Sequence, residues 1–136
     1  MLFEKDYAKI VLDLNKTEEE RIQAAFHLEN ALEDESLNAL IKGLFTDPSP
    51  IVRHEFAFSL GETSHPELVG KYLMKAVETD KNIFVKHEAI LALATLGRPE
   101  FKNFIKKFLN DKEPEMAESA KIALQRLNNK GDDKFN

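Results

Sequence analysis

The 136-residue sequence has no cysteine and no tryptophan, and only five glycines and five prolines. Without thiols there are no disulfides, no thiolate-bound zinc, no iron–sulfur cluster and no cysteine nucleophile, so any metal ion must be held by nitrogen and oxygen donors. Long apolar runs are missing too. Ala89–Gly97 carries no charge, but it falls far short of the roughly 20 residues a spanning helix needs, and no membrane partner is expected. Met1-Leu2-Phe3-Glu4-Lys5-Asp6 puts charges where a signal peptide has its apolar core, so the expected location is cytoplasmic. An excess of positive charge is also absent. With 24 Asp and Glu against 19 Lys and Arg, the formal net charge is −5, which offers no general attraction to phosphate backbones; no nucleic-acid partner is expected. No Ser-His-Asp order, phosphate loop or dinucleotide fingerprint occurs, and hydrolytic and nucleotide chemistry lack support.

What is present is repetition. Val52-Arg53-His54-Glu55-Phe56-Ala57-Phe58-Ser59-Leu60 lies over Val85-Lys86-His87-Glu88-Ala89-Ile90-Leu91-Ala92-Leu93 at a constant offset, and His65-Pro66-Glu67-Leu68 falls on Arg98-Pro99-Glu100-Phe101 at the same offset. Weaker copies flank the pair, at Arg21–Leu28 before it and at Ala117–Leu124 after it. The apolar spacing in every copy is helical and no stretch alternates with strand period. Thr17-Glu18-Glu19-Glu20 fits a capping box, and Pro50, Pro66, Pro99 and Pro114 suit the first helical position. The spacing predicts helices near 4–14, 17–32, 36–45, 50–63, 66–79, 82–96, 99–110 and 114–128. Tight breaks such as Thr46-Asp47-Pro48-Ser49 make consecutive helices antiparallel. The expected fold is all-α, a right-handed solenoid of α-hairpin repeats with about eight helices, each hairpin stabilised by its neighbours. One domain is expected over 1–128 and a flexible tail over 129–136.

Such a scaffold needs small and apolar residues at the repeat positions, but it does not need histidine. Two of the four histidines stand in His-Glu dipeptides at the same place in adjacent copies. Stacking sets equivalent positions side by side, so His54, Glu55, His87 and Glu88 should gather on one face of neighbouring parallel helices. Successive helical residues diverge by about 100°, so a His and the Glu after it do not grip one ion together, which points to two ions. Imidazole and carboxylate donors with open positions suit non-haem iron or manganese. A mononuclear site of two His and two Glu in one chain is the alternative.

The two His-Glu motifs resemble those of deoxyhypusine hydroxylase, a HEAT-repeat diiron monooxygenase; more generic HEAT-like repeats also occur in phycobilin lyase subunits. The resemblance covers roughly residues 17–128. It implies a HEAT-like solenoid, iron as cofactor with manganese as the alternative, dioxygen-dependent hydroxylation, and His54, Glu55, His87 and Glu88 as metal ligands. That family carries four dipeptides, two in each half of a pseudo-twofold chain, with its irons between the halves. Here the first and fourth copies read Ile22-Gln23 and Glu118-Ser119 instead, leaving the complement of one half. A twofold homodimer would restore all four. We therefore expect a homodimer with two irons, in which His54 and His87 hold iron, Glu88 completes one ion's ligand set and Glu55 supplies the carboxylate that crosses to the other ion. A protein substrate or protein partner is expected on the concave face. Without metal, the same repeats would form a non-enzymatic protein–protein interaction scaffold.

Other conspicuous residues have plainer readings. His27 is expected to pack or cap, His65 to lie exposed in a loop, Glu62 to be solvated, and the strip Lys102, Lys106, Lys107 and Lys112 to face water. Tyr7, Tyr72 and the ten Phe are expected to fill the core.

Overall fold

The computed structural model describes residues 1–133. Eight α-helices occur in it: α1 Glu4–Ile10, α2 Glu18–His27, α3 Asp34–Thr46, α4 Pro50–Gly61, α5 Pro66–Thr79, α6 Ile83–Leu96, α7 Lys102–Lys106 and α8 Pro114–Asp133. No strand occurs among the described residues. Each hairpin pairs its two helices, α1 with α2, α3 with α4, α5 with α6 and α7 with α8. Between hairpins, α2, α4, α6 and α8 pack in succession as one layer, while α1, α3 and α5 form the layer behind it.

Local chemistry places most of the helix starts where the sequence puts them. Thr17 and Glu20 close a reciprocal capping box, each side chain accepting from the other's backbone N–H at 3.1 Å. Ser49 accepts from the Val52 N–H at 3.3 Å and Asn82 from the Phe84 N–H at 2.9 Å, so α4 and α6 begin on side-chain caps. Proline opens α4, α5 and α8. Three helices are shorter than their apolar spacing suggests, because their last turns tighten into bonds to the third preceding residue. Leu12 and Asp13 donate to Lys9 and Ile10, Ala31 donates to Leu28 after a 3₁₀ turn at Leu28–Asn30, and Lys107, Phe108 and Leu109 donate to Phe104, Ile105 and Lys106. The helix expected over 99–110 is thus a 3₁₀ turn at Pro99–Phe101 followed by α7 alone. The last helix runs on to Asp133. The tail expected over 129–136 continues α8 over its first residues, and 134–136 lie outside the described residues.

The centre of the molecule is α6, which buries Val85, Ala89, Ile90, Leu91, Ala92, Leu93 and Ala94 between α4, α5 and α8. Burying one such aliphatic chain is worth about 1.5–3 kcal/mol, so the contacts of α6 hold the hairpins in register. Gly61 lets α4 come close: a Cβ there would stand 2.7 Å from the Ala92 Cβ and 2.9 Å from its Cα, and the backbone of α6 cannot yield. The closeness of α4 to α6 decides which groups can meet across their N-terminal halves.

Two ion pairs, one buried and one partly buried, fix the same layer. Asp47, in the turn before α4, accepts from Arg21 Nε at 2.8 Å, from Arg21 Nη2 at 3.3 Å and from the Ser49 N–H at 2.9 Å. One repeat later, Asp80 accepts from Arg53 Nε at 2.9 Å, from Arg53 Nη2 at 3.3 Å and from the Asn82 N–H at 2.9 Å. Arg53 also donates to the Asp47 carbonyl at 2.9 Å, which ties consecutive turns together. Each aspartate thus shapes its own turn and anchors an arginine from the α2, α4, α6 and α8 layer.

Candidate metal centre

The capped starts of α4 and α6 place His54 and Glu55 on one helix and His87 and Glu88 on the next. In copy two, His54 Nδ1 lies 3.2 Å from Glu55 Oε1, and its Nε2 lies 3.6 Å from Glu88 Oε2 across the α4–α6 contact. The second separation is too long for a hydrogen bond yet short enough for both atoms to reach one ion. The histidine of one dipeptide therefore meets the glutamate of the next. His54 and Glu55 are about a third exposed and Glu88 only 14%.

His87 is held differently. Its Nδ1 contacts the hydroxyl of Ser119 on α8, and that hydroxyl donates to the Glu115 carbonyl at 2.6 Å. The four expected ligands thus divide: Glu55 and Glu88 each stand at a different ring nitrogen of His54, while His87 is turned toward α8. Among the described residues, no three His, Asp or Glu side chains in one chain are gathered closely enough to hold a metal ion.

Burial and crowding set the charge state of the cluster. Desolvation lowers the His87 pKa below its ordinary 6.5, helped by the nearby charges of His54 and Arg126. Desolvation raises the Glu88 carboxyl above 4.5, opposed by His54 and Arg126 and reinforced by Glu55 and Glu62. A carboxyl raised in the fold contributes stability that is complete below 4.5 and lost as the pH climbs through the raised value. Glu88→Gln should therefore raise the melting temperature of the metal-free protein at neutral pH, and the gain should vanish as the pH falls below about 4.5. Thermal melts of both proteins across pH check this; a gain that is the same at low and neutral pH would refute the burial argument.

The other conspicuous residues divide similarly. His27 stacks on Tyr7, ring centroids 4.1 Å apart, and so packs although it is exposed. His65 occupies the N-cap position of α5 without a side-chain capping bond and is half-buried, less open than expected for a loop. Glu62 is solvated as expected, but its charge also bears on Glu88 and on Glu29, whose carboxyl burial pushes up and which accepts from Ser59 Oγ at 3.0 Å. Not all phenylalanines are core. Phe56, Phe101 and Phe104 are buried, but Phe84 is 68% exposed, as is its repeat equivalent Ile51 at 63%. These two flank a cleft of about 290 Å³ that His54 also lines, and Phe84 borders a second, of about 510 Å³, beside His87 and Ser119. Helical periodicity cannot reveal this, because it shows which residues share a stripe and not whether a neighbour covers it. A signal for Ser119 did exist: it occupies the register of Glu55 and Glu88 on the helix next to α6.

A family profile described as HEAT repeats matches residues 9–93 and 37–125. Deoxyhypusine hydroxylase of Candida albicans is 34% identical over 116 residues, which are 85% of this chain and 36% of that protein. The Dictyostelium discoideum protein of the same name is 37% identical over 113 residues, 83% of this chain and 36% of that one. A solved structure of human deoxyhypusine hydroxylase in complex with glycerol superposes with a TM-score of 0.82 at 30% identity, covering 93% of this chain and 44% of that one. The chain thus spans about two-fifths of the length of the relatives it matches. With both family matches lying on the stacked hairpins described above, the chain belongs to the HEAT-repeat family and is similar over most of its length to deoxyhypusine hydroxylase.

Proposed function

We propose that the chain is a non-haem diiron protein that activates dioxygen for hydroxylation, its two irons shared by two copies. The observation that carries the reading is His54 Nε2 facing Glu88 Oε2 at 3.6 Å, two donors from successive His-Glu motifs brought together by α4–α6 packing. The donor set fits iron chemically, since it joins imidazole to carboxylate without thiolate. One chain gathers fewer donors than a closed site needs, and a second copy across a twofold axis doubles them. In this reading His54 and His87 hold iron, Glu88 completes one ligand set and Glu55 supplies the crossing carboxylate. Bound iron would supply the activation of dioxygen. The chain's own part is to hold the donors at the helix starts, to keep Glu88 and His87 partly out of water, and to place the two clefts beside them for a protein substrate. Exposed Ile51 and Phe84 on the same rim suit a covering chain.

The deciding experiment is iron content per chain on a gel-filtration peak of known mass after anaerobic ferrous loading. The expected result is about one iron per chain in a dimer, in keeping with a twofold-shared pair, and loss to background in His54→Ala. Absence of bound iron or manganese in the intact protein would overturn the reading and favour an interaction scaffold on the same apolar rim.

A further inference from the structure

We propose that Ser119 is a positioning residue that locks His87 in the tautomer with the proton on Nδ1, leaving Nε2 as the free lone pair. The inference comes from counting protons. A serine hydroxyl has one proton to donate, and Ser119 gives it to the Glu115 carbonyl one turn back at 2.6 Å. Its Oγ also contacts His87 Nδ1, so toward the ring it can only accept. The ring must then supply the proton from Nδ1, and a neutral imidazole with its single N–H on Nδ1 has a bare Nε2. Ser119 is fully buried, and turning its hydroxyl toward the ring would leave its oxygen lone pairs facing those of the Glu115 carbonyl at 2.6 Å, which holds the proton on the carbonyl side.

The same logic holds in the neighbouring copy with different atoms. His54 Nδ1 faces Glu55 Oε1, and an ionised carboxylate only accepts, so there too the proton belongs on Nδ1 and Nε2 is left to face Glu88. Both histidines therefore present the same nitrogen, one oriented by Oε1 of Glu55, whose second oxygen is the one left to cross to the other ion, and the other by a hydroxyl on the next helix. The departure from His-Glu in the fourth copy is accordingly part of the centre: Glu118-Ser119 supplies no ligand of its own but orients the last one. The tautomer assignment stands on the hydrogen bonds alone, whereas the use of Nε2 as an iron donor rests on the diiron reading.

The test is a long-range proton–nitrogen correlation spectrum of the metal-free, full-length protein labelled in histidine, recorded about two pH units above the ordinary histidine pKa of roughly 6.5. His87→Asn identifies the signal. The expected wild-type spectrum shows His87 with a protonated Nδ1 and a bare, downfield-shifted Nε2. Ser119→Ala should move it to the other tautomer or to a mixture, and Ser119→Thr, which keeps the hydroxyl, should restore it. A wild-type His87 protonated on Nε2 overturns the proposal without any variant having to fold, and an unchanged spectrum in folded Ser119→Ala overturns the role of Ser119. In ferrous titrations, Ser119→Ala should bind about 10–100-fold more weakly than wild type, with Ser119→Thr close to wild type. Failure of the wild type to bind iron would count against the diiron reading and leave the tautomer result in place.

Discussion

Replacing Asp47 with alanine is expected to destabilise the protein by about 3–5 kcal/mol, the usual cost of breaking a buried ion pair from one side. Arg21 is 5% exposed and Asp47 4%, so removing the carboxylate leaves a buried guanidinium without its counter-charge, bonded to the Lys16 carbonyl at 2.6 Å. The Ser49 N–H loses its acceptor in the same step, and the turn that starts α4 loses its shape. For a chain of this size the loss should lower the melting temperature by roughly 10–20 °C. Thermal and urea denaturation followed by circular dichroism measure it directly. The Arg98–Glu100 pair is the internal control, since its side chains are 46% and 54% exposed and Glu100→Ala should change stability by less than about 1 kcal/mol. The double variant Arg21→Met, Asp47→Ala should recover much of the loss, because no buried charge is then left without a partner. A drop under about 1 kcal/mol in Asp47→Ala alone would show that water reaches Arg21 and that the pair does not anchor the layer.

That pair also shows what was legible in the sequence and what was not. The repeat offset that exposed the fold aligns Asp47 with Asp80 and, one residue off, Arg21 with Arg53, but a turn containing Asp and Pro is explained by turn chemistry alone. Only the folded chain shows the aspartates reaching back to arginines from other helices. The all-helical hairpin stack was legible because four copies keep one apolar spacing, and the capping box at Thr17 and the prolines of α4, α5 and α8 mark their own starts. Helix ends were less so: α1, α2 and α7 keep apolar spacing past the point where their bonds tighten to 3₁₀ geometry, which side-chain pattern does not encode. At the candidate centre, register placed His54, Glu55, His87 and Glu88 on neighbouring helices. It could not say that His54 would reach Glu88 or that His87 would bond to Ser119, because those choices depend on side-chain rotamers and on the closeness of α4 to α6 at Gly61.

The exposed rim of the centre supports the second large prediction: if two copies share the irons, Phe84→Glu should turn the dimer into a monomer. Phe84 and Ile51 stand one turn before His87 and His54, with Phe84 bordering the clefts beside both histidines, so a chain that completes the ligand set must cover them. A large apolar side chain is inexpensive to bury there, whereas a carboxylate loses its hydration, and Glu115 and Glu118, which line the larger cleft with Phe84, offer it no positive partner. In a twofold assembly each substitution occurs twice. If each costs about 2 kcal/mol, association weakens by roughly a thousandfold. Sedimentation equilibrium reads the change. The fold itself should be indifferent, because the side chain is 68% exposed in the single chain and an exposed substitution seldom moves stability by more than about 0.5 kcal/mol. Iron should be lost together with the dimer even though every proposed ligand remains in place. An unaltered dimer that keeps its iron would show that the contact lies elsewhere, and a wild-type protein that is monomeric yet binds two irons per chain would dispose of the shared centre altogether.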